Sequence, residues 1–266
     1  MREIDGFTVS GTLSPAGVES NVSGAMNLIL LFEEDFVAPD LVVLSDRRLS
    51  HIQQVHRAGT GDVLRVGLLQ GAIGSAVVER LTEREVTLSL ALSEPPPAAL
   101  PVTLILALPR PKMLQRCFTM VAELGVKQLY LINSARVEKS YWQTPWLQPA
   151  RIRNNLLLGL EQARDTMLPE VHLRRRFKPF VEDELPGLMQ PGLCLLAHPQ
   201  AAALSELALA LPITEPALLC IGPEGGFIPY EVEKLGSAGC RPFSLGARIY
   251  RVETALPLLL GKLFAG

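Results

Sequence analysis

Three consecutive prolines inside Ser93–Pro101 constrain this chain more than any other feature. Each fixes φ at about −65° and lacks a backbone donor, so neither a helix nor a central strand can pass through them. The stretch reads as an extended, semi-rigid connector over residues 93–101, and the hydrophobic period changes across it. Upstream, the apolar runs Asn27–Phe32, Val63–Val66, Ala72–Val78 and Val86–Leu92 are short and β-like, with turn signals such as Gly59-Thr60-Gly61-Asp62 between them. Arg47–Arg57 has helical spacing, with Leu49, Ile52 and Val55 on one face. This pattern predicts a small β-barrel over 26–92. Residues 1–25 are rich in Ser and Gly and lack the apolar core of a signal peptide, so a disordered extension is expected there.

Downstream, strand-length apolar runs recur at Val102–Leu108, Gln128–Ile132, Val171–Leu173, Leu193–Ala197, Leu218–Ile221 and Pro242–Leu245. Helical stretches lie between and after them, at Met113–Leu124, Pro149–Arg164, Leu204–Leu209, Tyr230–Leu235 and Thr254–Phe264. Strand–helix alternation with near-continuous apolar strands predicts an α/β unit with a parallel sheet over 102–266. Gly125 is placed to stop the first of these helices.

With 48% hydrophobic residues in a chain of 266, a core can form without staples. No apolar run approaches the roughly 18–20 residues of a membrane span, so no membrane partner is expected. Cys117, Cys194, Cys220 and Cys240 lie far apart, and the run around Cys220 reads as a buried reduced thiol. Together with four scattered histidines this suggests no metal site and a reducing cytoplasm. The net charge of −2 hides an asymmetry: residues 26–100 carry six basic and ten acidic side chains, residues 101–266 eighteen and fourteen. A typical nucleic-acid binder is more basic, and the run Arg174-Arg175-Arg176 with Lys178 reads first as a solvated face.

In open α/β sheets ligands sit beyond the carboxyl ends of strands. Three segments hold that position: Ala197-His198-Pro199, Ile221 with Gly222-Pro223-Glu224-Gly225-Gly226, and Leu245-Gly246 through Thr254. The glycines either make a tight turn or let backbone approach a ligand closely. The embedded Glu224 and the lack of a Gly-Lys-Ser/Thr argue against phosphate. Arg248, Arg251, Glu253 and Thr254 form either an ion-pair network with helix caps or a clamp for an anionic substrate. Tyr141 and Trp142 are either core residues or base-stacking ones.

The paired segments CIGPEGGFIPYEVEKL (220–235) and FSLGARIYRVETAL (243–256) resemble the C-terminal signature of the RsmE family. Lys112, Glu123-Leu124-Gly125-Val126, Glu161-Gln162, Pro169-Glu170 and His198-Pro199 extend the likeness, and His51, Arg57 and Gly61-Asp62 resemble the family's RNA-binding barrel. The resemblance implies methylation of uridine N3 in 16S rRNA of the 30S subunit, with S-adenosyl-L-methionine as cofactor. It implies a PUA-like barrel followed by a SPOUT domain with a deep trefoil knot, working as a homodimer. Carried over residue by residue, it puts Ala197, His198, Ile221, Gly222–Gly226, Leu245, Gly246, Ile249 and Thr254 at the cofactor, including Pro223, Glu224 and Gly225. Arg248, Arg251 and Glu253 become the catalytic set, and Arg47, Arg48, His51, Arg57, Arg110, Lys112 and Arg164 the RNA contacts. The run Ala163–Met167 and Tyr250 depart from the family pattern. A paralogue acting on another nucleotide, or a non-catalytic RNA-binding relative, are the alternatives.

Overall fold

The computed structural model describes residues 27–189 and 192–264, so the extension expected over 1–25 lies outside them. The first unit holds β1 (Ile29–Leu31), β2 (Phe36–Ala38), β3 (Leu41–Leu44), α1 (Arg47–His51), β4 (Val63–Leu68), β5 (Ile73–Leu81) and β6 (Val86–Glu94). Its six strands run in the order β1-β4-β5-β6-β3-β2, with β1 parallel to β4 and the other neighbours antiparallel. Strands β2 and β3 are additions to the sequence reading, and β6 continues through Ser93 and Glu94, two residues into the expected connector. Strand β1 is apolar throughout because it faces two cores. Ile29 and Leu31 belong to the small one, while Leu28 and Leu30 join that of the second unit.

Asp46 starts α1 by accepting the Arg48 amide at 2.9 Å. After His51 the coil widens into a π-helical turn, Ile52–His56, that ends at Arg57 with φ 51°. The wider pitch corrects the expected face: Leu49 and Ile52 are buried, but Val55 is 65% exposed.

The second unit comprises β7 (Val102–Ala107), α2 (Pro111–Glu123), β8 (Gln128–Ile132), α3 (Pro149–Ala163), β9 (Glu170–Arg174), α4 (Phe177–Pro179), α5 (Leu185–Leu188), β10 (Leu193–Ala197), β11 (Ala217–Ile221), α6 (Pro229–Ser237), β12 (Arg241–Phe243) and α7 (Val252–Leu263). All its strand pairs are parallel, in the order β12-β10-β11-β7-β8-β9. Helix α2 packs on α3 and α7, and it stops where Gly125 takes φ 75°, as a C′ glycine should.

The two units meet along the segment that departs from the family pattern. Thr166 is fully buried, its hydroxyl donates to the Gly71 carbonyl at 2.6 Å, and its own carbonyl accepts the Gln70 amide at 2.8 Å. Asp165 pairs with Lys127 at 2.5 Å, and Glu161 binds Arg47 through both guanidinium nitrogens. A Cβ on Gly67 would stand 2.6 Å from the Thr166 methyl, so glycine there is what lets the units close.

The cysteines require a correction. Strand β10 lies between β11 and β12, which brings sequence-distant residues together. Cys194 on β10 and Cys240 before β12 form a disulfide, and the Cys220 sulfur on β11 lies 3.9 Å from that of Cys194. Cys117 and Cys220 are free and buried. The three sulfurs of Cys194, Cys220 and Cys240 lie within 4.8 Å of one another, a grouping their spacing along the chain did not suggest.

Candidate active site

Strands β10, β11 and β12 are neighbours or near neighbours, so the segments after them converge at one end of the sheet. The His198 amide donates to the Phe243 carbonyl at 2.8 Å, and the amides of Leu204 and Ser244 are exchanged with partners across the same seam. These bonds hold the post-β10 and post-β12 segments side by side. Between them and the glycine loop lies a cavity of about 290 Å³, near the lower end of small-molecule sites at roughly 300–1,000 Å³.

Most of the residues singled out as cofactor contacts line this cavity: Ala197, His198, Ile221, Gly222, Pro223, Glu224, Gly225, Gly226, Leu245, Gly246 and Ile249, with Arg248 from the catalytic set. Phe243, Ser244, Tyr250, Val252, Ala255 and Leu259 add walls that motif reasoning left out. The helical period could have found the last three, since they sit on one face of α7. Thr254, Arg251 and Glu253 are not among the lining residues. Arg251 precedes α7, is 85% exposed at its side chain, and approaches Glu253 at 4.0 Å.

The loop conformation explains its glycines. Gly226 takes φ 73° and Gly246 φ 104°. A Cβ at Gly225 would stand 2.9 Å from Arg136 Cδ, and one at Gly222 would stand 3.1 Å from Phe227. Arg136, which follows β8, donates to the Gly225 carbonyl. The next residue back, Ala135, gives its amide to Glu231 Oε1 at 2.6 Å, while Glu231 Oε2 accepts the Ile228 amide at 3.0 Å. Buried Glu231 therefore fixes the start of α6 to the post-β8 segment that braces the glycine loop. With isoleucine at the N-cap position, no capping signature marked Glu231 in the sequence, and Arg136 carried no signal either.

Glu224 turns its carboxylate away from the loop. It accepts the Arg110 amide at 3.1 Å, just before α2, and lies 3.9 Å from the Arg110 guanidinium. Burial pushes the Cys117 thiol of α2 up to about 12, with Glu224 and Glu253 adding to the effect. Through Arg110, Glu224 sits at the start of α2, where negative charge is favourable.

The residues expected to contact RNA divide. Arg110 and Lys112 are exposed around the start of α2, and Arg57 is exposed at the end of the π-helical turn. Arg164 ends α3 with φ 56°. His51 is half-buried with its ring 4.8 Å from that of His56. Arg48 needs a correction: it is 5% exposed, binds Asp35 at 2.5 and 2.7 Å and Asp46 at 2.8 Å, and donates to the Leu30 carbonyl. Burial disfavours its charge, but the Asp35 and Asp46 hydrogen bonds outweigh that and hold its pKa above the usual arginine value. Its donors are consumed by the fold, and those of Arg47 are turned to Glu161.

Comparison with known proteins places this architecture. A family model described as an RNA methyltransferase domain matches residues 96–263. Ribosomal RNA small subunit methyltransferase E of Treponema pallidum is 29% identical over 230 residues, covering 85% of this chain and 86% of that protein. The Synechocystis protein of the same name is 26% identical over 251 residues, covering 94% and 82%. A crystal structure of the Neisseria gonorrhoeae protein of that name, bound to S-adenosyl methionine, shares the fold with a TM-score of 0.67 at 19% identity, covering 88% of this chain and 95% of that one. The parallel sheet, the converging loops and the match over most of the second unit agree, and the chain belongs to the RNA methyltransferase family that includes these small-subunit enzymes.

Proposed function

We propose that this protein transfers a methyl group from S-adenosyl-L-methionine to N3 of a uridine in 16S rRNA. The observation that carries the reading is the glycine-walled cavity beyond β10, β11 and β12. Its walls suit that molecule: backbone edges at Gly222–Gly226 and Leu245–Gly246 offer donors and acceptors, and Ile221, Leu245, Val252 and Leu259 give an apolar slot for a flat ring. The cofactor residues proposed are those that line the cavity. Thr254 enters through its place in the first turn of α7.

S-adenosylmethionine supplies an electrophilic methyl on a sulfonium. Uridine N3 is a weak acid, so the protein must favour its anion. Arg248 lines the cavity and is exposed, which suits it to the negative charge that develops on the uracil oxygens. Glu253, beside Arg251, orients that guanidinium rather than acting as base. The target base has to be unpaired or turned out of its helix to reach the slot. The exposed loop 246–249, with Ile249 83% exposed, and Leu258 on α7 support a homodimer in which a second copy covers the cavity. A trefoil knot in the second unit, a PUA-like first unit and a cytoplasmic setting complete the reading. No helix among the described residues is long and apolar enough to cross a membrane.

The test is transfer of labelled methyl to 30S subunits from a strain lacking the modification, followed by digestion to nucleosides. Label in 3-methyluridine at one site is expected. Absence of label with S-adenosylhomocysteine still bound would mean that the RNA target is another one.

A further inference from the structure

We propose that the surface carrying Arg136, Lys139, Arg175 and Arg176 grips single-stranded RNA flanking the target nucleotide. The proposal rests on the methyltransferase reading. The segments after β8 and β9 form one continuous surface with the glycine loop. The Asn133 amide donates to the Arg174 carbonyl at 3.0 Å, and Trp142 Nε1 donates to Asn133 Oδ1 at 2.9 Å. The Arg175 guanidinium lies over the Trp142 ring at 5.5 Å and donates to the Trp142 carbonyl at 3.4 Å. At the other end Arg136 holds the Gly225 carbonyl, so this surface borders the cavity directly.

Its charges are what separate it from an ordinary solvated face. Nearby cations are neutralised: Arg174 by Glu184 at 2.5 Å, and Lys178 and Lys234 by Glu182. Among the described residues no carboxylate pairs with Arg136, Lys139, Arg175 or Arg176, all four of which are exposed. Glu138 is the acid within the segment, and it accepts the Tyr141 hydroxyl at 3.0 Å. The partly exposed Tyr141 adds a ring on which a base can stack. Four of the six arginines in the small unit make the opposite choice, while Arg57 and Arg84 are exposed. Arg47, Arg48, Arg65 and Arg80 there all face carboxylates, at Glu161, Asp35, Glu94 and Glu85. Unpaired cations beside a cavity and an aromatic face next to them are the arrangement that binds a single strand through its phosphates.

The test compares the full-length protein with the triple variant Lys139→Gln, Arg175→Gln, Arg176→Gln. Arg136 stays unchanged because it braces the glycine loop. Methylation of unmodified 30S subunits, binding of a labelled oligouridine and binding of S-adenosylhomocysteine are measured at several salt concentrations. Each lost phosphate contact lowers the salt slope of single-strand binding by about 0.7. The triple variant should therefore lose about two units of slope, with its KM for RNA raised about tenfold or more and its S-adenosylhomocysteine affinity unchanged. The charge-keeping variant Lys139→Arg, Arg175→Lys, Arg176→Lys should bind as the parent does. A triple variant with the parent's KM and salt slope overturns the proposal while leaving the methyltransferase reading intact. One that loses 30S affinity but keeps its oligouridine affinity also overturns it, assigning the surface to an acidic protein. A parent protein that binds S-adenosylhomocysteine yet methylates no RNA overturns the reading itself.

Discussion

The large sheet has two edges, and they treat polar groups in opposite ways. At the amino-terminal edge, against the small unit, the polar side chains find partners inside the protein. Lys127 meets Asp165, Thr166 meets Gly71 and Glu161 meets Arg47. At the carboxyl-terminal edge Arg248 and Arg251 stand exposed, Ile249 faces solvent, and the backbone of two glycine-bearing loops lines a cavity. One edge uses hydrogen-bonding capacity to fix a geometry, and the other leaves it for something outside the chain. A substitution at the first should therefore register as stability, and at the second as binding or turnover.

The largest effect is expected inside the small unit, at Arg48, whose partners Asp35, Asp46 and the Leu30 carbonyl all belong to that unit. Replacing it with alanine leaves buried Asp35 without its counter-charge and should cost about 3–5 kcal/mol, read as a lower urea midpoint. A loss below about 1 kcal/mol would mean that water replaces the guanidinium and the small unit is softer there than its geometry suggests. Arg248→Ala probes the carboxyl-terminal edge. Turnover should fall about 10²–10³-fold, while stability changes by no more than about 0.5 kcal/mol, as at other surface sites. If the two readouts moved together, the edges would not be separable. Lys127→Met leaves the buried Asp165 carboxylate with fewer donors and should cost about 1–3 kcal/mol with methyl transfer retained.

The smallest effect is in pH. Both ring nitrogens of His56 are buried without a hydrogen-bond partner among the described residues. Burial first, and then His51, lowers its pKa below the ordinary value. Below about pH 6.5 the unfolded chain takes up a proton that the folded one resists. Stability should therefore fall as pH drops from 7 toward 5, and His56→Phe should flatten that slope in thermal melts at successive pH values.

Much of this was legible in the sequence because it rests on local chemistry. The glycines at 125, 226 and 246 mark positions of positive φ, and the inner strands β7, β8, β10 and β11 of the large sheet are largely buried, so their apolar runs stand out. What escaped depends on contacts across the chain. Strand β2 is three residues long and β3 four, too short for alternation to show. Arg48 looked like surface charge because Asp35, 13 residues away, meets it only in space. The cysteines looked independent until β10 came to lie between β11 and β12. Asp165 and Thr166 broke a family pattern, and their contacts with Lys127 and Gly71 give the departure a structural use.

Strand β1 carries a consequence for how the molecule comes apart. Because its alternate side chains are shared between the two hydrophobic clusters, neither cluster can melt without stripping apolar cover from the other. Ile73, on β5 of the small sheet, reaches into the large cluster in the same way. The proline connector makes the chain look divisible at a single point, yet three residues of β1 make it one cooperative unit. Heat or denaturant should meet a single transition here, and a cut through the prolines would yield two fragments that each lack part of their own interior.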